Sequence, residues 1–434
     1  MNVRSPALIG NEAVRTRLVI FVLFIAFVIS AFTSAIRKDI RVGFDELAHA
    51  SYVADLQAHH GPVRLEQLRM LDPKTFTFTS KPSYLNHADP YYRMLAVIGP
   101  RIEGHPEALI WHRAINVVVV TLGLALMLSA MISLARTVEE RLIFAFGLAC
   151  IPVLPQMAGS INNDNLAFLG GALLIFGVQR FLNRFRTADL LIAGFGVVIA
   201  AAAKLTGLML AGGFLVAVMA IAWAHRLVNR RQIAIAIFSL LIAAIPAIGL
   251  WIGYGSPAPN TPAQAASLLD GARITGWADE PRLGAIAYVF EFLQSFVAGW
   301  MPMLDARSSW HSALLIIPLT AIGLAVAGTG YSAQSLFRGL GGRGPGDSTI
   351  NYPAIVCAGA LAITATMIIH IGFSYQRHLA TGWLMDAFPR YYLPLIEIVP
   401  LAGVACFRGI ERESLRKFVA GFLLMSPFIF RLLG

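Results

Sequence analysis

The run LVIFVLFIAFVISAFTSAI, residues 18–36, decides the fold of this chain, because its 19 consecutive residues carry no charge. As an α-helix, at about 1.5 Å per residue, it is roughly 28 Å long and can cross the hydrocarbon core of a bilayer. Arg15 and Arg17 precede the run. Because basic residues are enriched on the cytoplasmic side of membranes, we expect a cytoplasmic N-terminus and an uncleaved first span.

The composition indicates that the whole chain belongs in a membrane. Of its 434 residues, 57% are hydrophobic and only 13% are charged, whereas a soluble protein carries roughly 25% charged residues. The net charge of +10 would suggest a nucleic-acid partner in a soluble protein. Here the basic residues flank apolar runs, so we predict membrane lipids as partners and no nucleic acid.

Later apolar runs extend the first one into a bundle. We predict an all-α, polytopic transmembrane helical bundle of about eleven spans, with 1–434 as a single domain. The ten further spans are expected near residues 113–135, 141–158, 166–183, 188–203, 205–225, 233–253, 311–331, 352–373, 390–407 and 416–433. This assignment of spans places the short arginine-rich connections in the cytoplasm and the C-terminus outside.

The first polar segment, residues 37–110, is expected to be a periplasmic loop. Short surface helices are predicted within it near 44–58 and 90–99. In the earlier helix, Asp45 and His49 fall on one face because they are four residues apart. This loop carries the predicted catalytic residues.

A second periplasmic loop is predicted over residues 255–310. Within it, residues 285–303 are apolar, but counting them as a span would place Arg338 and Arg343 outside. Apolar residues recur along one helical face of this segment. We therefore predict an amphipathic helix lying in the membrane interface.

Acidic and imidazole side chains lie together where the chain leaves the first span, in the segment GFDELAH, residues 43–49. Asp45, Glu46 and His49 could form a general base or a metal site near the bilayer. Alternatively, the carboxylates simply favour the first turn of a surface helix through its dipole. The segment is not the zinc-protease motif, because the first histidine is missing.

Other polar residues occur at outer span ends. Asn163 and Asp164 either form a turn and cap a helix, or contact sugar or phosphate. Lys204 either snorkels to the surface or meets a lipid phosphate. Arg390 either anchors the interface or binds phosphate through paired hydrogen bonds. Weaker candidates, on placement alone, are His87, Asp89, Tyr91, Arg93, Glu103, His105, Arg113 and Asp305.

These elements together resemble the GT-C superfamily of polytopic glycosyltransferases, which use lipid-phosphate-linked sugars on the outer side of the membrane. The nearer likeness is to a branch of bacterial membrane proteins with an Asp-Glu-x-x-His segment after the first span, matched here by Asp45, Glu46 and His49. The likeness runs from about residue 15 to 400. It includes, in order, the elements NHADPYY (86–92), INND (161–164), KLT (204–206) and RYYLP (390–394), where Ala88 and Asp89 replace the usual proline.

The resemblance implies roles for individual residues. Asp45 would accept the proton of the attacking hydroxyl, with Glu46 and His49 supporting it. Lys204 and Arg390 would stabilise the phosphate leaving group. Further substrate-binding residues would be Asn163, Asp164, His87, Tyr91 and Arg113. Some members use a divalent metal such as Mg²⁺ or Mn²⁺, for which the available ligands are Asp45, Glu46, His49 and His87.

We therefore expect an inverting glycosyltransferase of GT-C type in a bacterial inner membrane. It would move a sugar from a polyprenyl-phosphate donor to a lipid, glycan or protein acceptor on the periplasmic side. Two other functions stay open: a transporter or flippase of lipid or polysaccharide precursors, and a non-catalytic subunit of a polysaccharide assembly system. A transporter predicts polar residues near mid-membrane on broken helices, whereas the candidates here cluster at one surface.

Overall fold

The computed structural model describes residues 6–59, 63–149, 151, 153–298, 316–339, 348–384 and 388–433. Nearly all of them are helical. The helices are α1 Pro6–Arg37, α2 Glu46–His59, α3 Pro90–Ile98, α4 Ala108–Leu134, α5 Val138–Ala149, α6 Val153–Ala158, α7 Asp164–Arg184, α8 Thr187–Ala203, α9 Leu205–Ala224, α10 Arg230–Tyr254, α11 Pro262–Ile274, α12 Ala285–Ala298, α13 Ile316–Gly339, α14 Ser348–Thr381, α15 Ile398–Gly409 and α16 Glu413–Leu433. Short 3₁₀ helices cover Leu65–Gln67 and Pro389–Leu395.

Long apolar helices confirm the prediction of an all-α, multi-pass membrane bundle. Among the described residues, six helices are long and apolar enough to span: α1, α4, α7, α9, α10 and α14. Pro389–Leu395 and α15 form a seventh candidate, bent by 66° between its two parts. The count of eleven is not confirmed, since the predicted span 141–158 divides into α5 and α6, and the predicted span 311–331 lies partly outside the described residues.

Close helix packing in the bundle depends on small residues. A Cβ atom at Gly196 of α8 would lie 2.4 Å from the backbone nitrogen of Leu174 in α7, and one at Gly170 would lie 2.4 Å from the nitrogen of Ala200. These two helices therefore touch backbone to backbone, as membrane helices do where glycine faces a partner. This packing fixes the ends of α7 and α8, which carry two of the candidate site residues.

The first loop packs around a second, smaller core, which also includes residues at the ends of α4, α7 and α8. The helices predicted at 44–58 and 90–99 are present as α2 and α3. Between them lies a two-stranded antiparallel hairpin, β1 Arg69–Leu71 and β2 Phe78–Pro82, which the sequence did not predict. The loop is thus a packed cap on one end of the bundle.

The second loop also contains helices, α11 and α12. Thr261 caps α11 by accepting a hydrogen bond from the backbone of Gln264. The predicted interfacial helix over 285–303 corresponds to α12, and residues 299–303 lie outside the described part of the chain. Its placement in the membrane interface stays a prediction.

Candidate active site

The candidate site lies at the end of the bundle where α1 ends and where α4, α7 and α9 begin. Four charged residues from distant parts of the chain meet there. Asp45 precedes α2, Asp164 begins α7, Lys204 separates α8 from α9, and Arg390 lies in the 3₁₀ turn before α15. Because α7 and α8 run in opposite directions, the beginning of one and the end of the other lie at the same level.

These four residues alternate in charge. Nη2 of Arg390 lies 2.8 Å from Oδ2 of Asp45, and its Nε lies 3.5 Å from Oδ2 of Asp164. Lys204 forms an ion pair with the other oxygen of Asp164. The ammonium of Lys204 also lies 3.7 Å from the ring centre of Tyr391, a cation–π distance. Two cations and two carboxylates therefore share one small volume.

Asp45 is held in an uncommon backbone conformation. Gly43, Phe44 and Asp45 have successive φ values of +72°, +59° and +56°. For non-glycine residues the left-handed region costs roughly 1–2 kcal/mol each, so surrounding contacts must maintain it. One of them is a hydrogen bond from the Asn162 side chain to the Phe44 carbonyl, 2.9 Å long. The turn before α7 thus fixes the peptide that carries Asp45.

The carboxylate of Asp45 faces the site and remains partly open to solvent. Its side chain is 42% exposed. The Tyr84 hydroxyl donates to Oδ1 over 3.0 Å, while Arg390 donates to Oδ2. Burial of the site by itself raises the pKa of Asp45, but the opposing effects of Arg390, His49 and Tyr84 together bring that pKa below its ordinary value. Asp45 is therefore a carboxylate at neutral pH.

Glu46, the next residue, is surrounded by donors. Arg113 binds both of its oxygens, each over 2.8 Å. The Lys38 ammonium lies 3.0 Å from Oε2, and the backbone N–H of Ile161 donates to Oε1 over 2.9 Å. A carboxylate has about four lone-pair positions, so these four contacts saturate it. Glu46 joins the end of α1, the start of α4 and the turn before α7.

Two imidazoles and a tyrosine form an aromatic wall beside Asp45. The rings of His49 and His87 are stacked with centroids 6.2 Å apart, and Nδ1 of His49 lies 2.8 Å from the Tyr92 hydroxyl. Burial lowers the pKa of both histidines, and nearby cations add to the effect, to about 3 for His87 and well below the ordinary value for His49. Both rings are neutral at pH 7.

The asparagine-rich turn before α7 is structural along most of its length. Asn163 donates to the carbonyl of Ala203 over 3.0 Å, which links the start of α7 to the end of α8. Asn165 donates to the side chain of Asn116, which also accepts from the Tyr91 hydroxyl. Asn163 and Tyr91, predicted to bind substrate, are thus engaged with neighbouring elements.

The possible metal ligands Asp45, Glu46, His49 and His87 do not form a coordination set. In the part of the chain that the structure describes, no three His, Cys, Asp or Glu side chains come together in a way that could hold a metal ion. Cationic side chains bind both carboxylates instead. These residues therefore do not fit a divalent cation site in the arrangement seen.

Among the weaker candidates, His87, Tyr91 and Arg113 belong to the site region described above, whereas four others pair with residues elsewhere. Arg93 pairs with Asp89 over 2.6 Å, and Glu103 with Arg101 over 2.5 Å. His105 contacts Glu107, and Asp305 lies outside the described residues. Conversely, sequence analysis did not single out Lys38 or Tyr84 as site residues, because single polar residues of loops carry no signal of their distant partners. Asn162 was noted only as part of the INND element.

Comparison with solved structures identifies the architecture. The chain matches the Archaeoglobus fulgidus oligosaccharyltransferase, solved with a tethered acceptor peptide, at a TM-score of 0.53 and 12% identity, over 95% of this chain and 54% of that one. The fold is GT-C-like. The chain spans about half the length of that oligosaccharyltransferase, and at this identity the likeness shows the fold alone.

Two further matches are to ArnT from Cupriavidus metallidurans. The form bound to undecaprenyl phosphate matches at a TM-score of 0.38 and 14% identity, over 80% of this chain and 77% of that chain. The apo form matches at 0.34 and 15% identity, over 83% and 77%. At the level of sequence, no protein-family model and no curated protein matches this chain. Of the predicted resemblance, the fold is what the comparison with the oligosaccharyltransferase supports.

Proposed function

We propose that the protein is a membrane glycosyltransferase that moves a sugar from a polyprenyl-phosphate donor to a hydroxyl-bearing or amide-bearing acceptor. The observation that carries this proposal is the alternation of Asp45, Arg390, Asp164 and Lys204 at one end of the bundle. A base and a phosphate-binding cation must lie within one substrate length of each other for this reaction. The GT-C-like fold supports the proposal.

Asp45 acts as the general base. The acceptor must lose a proton as it attacks the anomeric carbon, and a positioned carboxylate accelerates such a step by about 10²–10⁴-fold. Asp45 is ionised and partly exposed, whereas the neighbouring Glu46 has no free lone pair. Tyr84 and Glu46 act as positioning residues, the first by holding the Asp45 oxygen and the second by fixing its backbone.

Arg390 and Lys204 stabilise the leaving phosphate. As the bond to the sugar breaks, negative charge develops on the phosphate, and pre-positioned cations lower the energy of that state. Asp164 contacts both cations and so holds them side by side. Displacement in a single step inverts the configuration of the anomeric carbon.

Neither imidazole of the aromatic wall carries charge, and we assign that wall to contact with a sugar ring.

The sidedness follows from the topology proposed for the first span. With the N-terminus in the cytoplasm, the end of α1 and hence the site face the periplasm of a bacterial inner membrane. A polyprenyl chain would then lie in the outer leaflet, with its phosphate at the level of Lys204. Lipid, glycan and protein acceptors all reach this face.

Turnover by purified protein tests the proposal. The full chain in detergent is given synthetic polyprenyl-phosphate sugars and candidate acceptors, and released polyprenyl phosphate is measured. Asp45→Asn should lower turnover by about 10²–10⁴-fold, whereas the control Asp89→Asn, a half-exposed carboxylate of the same loop that pairs with Arg93, should not. Undiminished turnover by Asp45→Asn would remove Asp45 from the mechanism, and the absence of turnover with every donor would refute the transferase.

A further inference from the structure

A groove lies at the other end of the bundle, among α1, α4 and α5. It has a volume of about 480 Å³. Ile20, Phe21 and Phe24 of α1 form one wall, and Leu128 and Ile132 of α4 form the other. This apolar part lies along α1 and α4, in the direction of the membrane core.

The end of the groove near the membrane surface is basic. Arg17 of α1 and Arg141 of α5 line it, together with Thr16 and Ser129. Among the lining residues that the structure describes, none is acidic. Two guanidinium groups and two hydroxyl groups therefore gather at the mouth of an apolar channel, which is complementary to an anionic group attached to a hydrocarbon chain.

Arg17 and Arg141 differ from other arginines at the same end of the bundle, which form ion pairs with carboxylates. Arg408 binds both oxygens of Glu140, and Arg180 lies 2.8 Å from Asp189. Within the described part of the chain, Arg17 and Arg141 have no acidic partner. The Nε of Arg141 is moreover buried without a hydrogen-bond acceptor. A buried donor without an acceptor is unfavourable, so an acceptor at this position would be stabilising.

We infer that the groove binds one acidic glycerophospholipid, with its phosphate between Arg17 and Arg141 and one acyl chain along α1 and α4. Basic pockets between membrane helices on the cytoplasmic side are suited to anionic headgroups. Arginine pairs with phosphate through two parallel hydrogen bonds, and one of these would satisfy the buried Nε of Arg141. This inference does not depend on the proposed transferase activity.

Native mass spectrometry of the full chain in detergent tests the inference. The protein is titrated with phosphatidylglycerol and, separately, with phosphatidylcholine carrying the same acyl chains. One phosphatidylglycerol should bind with at least about tenfold higher affinity than phosphatidylcholine. The double variant R17Q/R141Q should lose at least about tenfold in affinity for phosphatidylglycerol, since it removes both guanidinium groups that would bind the phosphate.

The matched control is R230Q/R231Q, which removes the same charge at the same end of the bundle from exposed residues outside the groove. It should retain the affinity of the wild type. If R17Q/R141Q does not fold, R17Q alone serves, because Arg17 is exposed; it should weaken binding several-fold. The inference would be overturned if these variants bound phosphatidylglycerol as the wild type does, or if the control lost as much affinity. It would also be overturned if both lipids bound with equal affinity, or if inorganic phosphate alone displaced the lipid.

Discussion

Asp45 and Glu46 are neighbours in sequence with the same charge, yet they occupy opposite kinds of environment. Glu46 is fully buried, with two cationic side chains and one backbone N–H on its two oxygens. Asp45 is 42% exposed and has one donor on each oxygen. The left-handed turn over Gly43, Phe44 and Asp45 directs the two side chains to different places.

Because of this difference, we expect Glu46 to contribute mainly to the stability of the fold and Asp45 mainly to the proposed reaction. A carboxylate whose lone pairs are all occupied cannot accept a proton from substrate without breaking its ion pairs. A carboxylate with free lone pairs can accept one, at the expense of contributing less to folding. We therefore expect substitution of Glu46 to lower mainly the stability of the fold and substitution of Asp45 to lower mainly turnover.

The largest effect on stability is expected from Glu46→Gln. Removing one partner of a buried ion pair leaves Arg113 and Lys38 uncompensated, which typically costs about 3–5 kcal/mol. The apparent midpoint of thermal unfolding in detergent should fall strongly. Asp45→Asn should shift the free energy of unfolding by less than about 1 kcal/mol, because its ion pair is partly exposed. Equal losses of stability in Glu46→Gln and Asp45→Asn would contradict the proposed difference between the two carboxylates.

Acidification should destabilise the folded protein through the histidines beside Asp45. In the unfolded chain histidine titrates near a pKa of about 6.5, whereas burial lowers the pKa of His87 to about 3. Below pH 6.5 the unfolded state therefore binds more protons, and stability falls as the pH decreases toward 3. The lowered pKa of Asp45 acts in the same direction at the acid end of this range.

The unfolding midpoint as a function of pH measures this dependence. His87→Gln removes one of the groups and should flatten the decline between pH 6.5 and 4, while His105→Gln, at an exposed position, should leave it unchanged. A steeper decline of the unfolding midpoint with falling pH in His87→Gln would contradict the lowered pKa of His87.

The smallest effect is expected from Tyr84→Phe. It removes one hydrogen bond, which contributes about 0.5–1.5 kcal/mol. Because that bond favours the charged form of Asp45, its loss should move the acid limb of the turnover–pH profile to higher pH. Tyr254→Phe is a matched control, since the Tyr254 hydroxyl accepts from the backbone of Leu65 away from the site. Tyr84→Phe with an unchanged profile would show that Tyr84 does not position Asp45.

Local patterns in the sequence predicted the apolar helices and both helices of the first loop. The order of motifs along the chain also predicted that Asp45, Asp164, Lys204 and Arg390 would lie at one end of the bundle, where the structure brings them together. The role of each remains a prediction. The fold class could be read from composition because apolar length and charge placement are properties of single segments.

Other features could not be read in this way. The sequence did not distinguish Glu46 from Asp45, because their environments depend on Lys38, Arg113 and the backbone of Ile161, which come from three other segments. The hairpin of the first loop has only three- and five-residue strands, too short for a clear alternation of side chains. Among the described residues six helices are long enough to span, and the predicted count of eleven is not confirmed, because hydropathy does not show where a run bends or divides.

The contact between Asp45 and Arg390 joins residues 345 positions apart, and this has a consequence for biogenesis. During synthesis Asp45 emerges just after the first span, whereas Arg390 follows only after a further 345 residues have been made. A ribosome-bound nascent chain therefore carries an incomplete pocket until the turn before α15 has been made. Under the proposed function, products of translation that are truncated before Arg390 would be inactive.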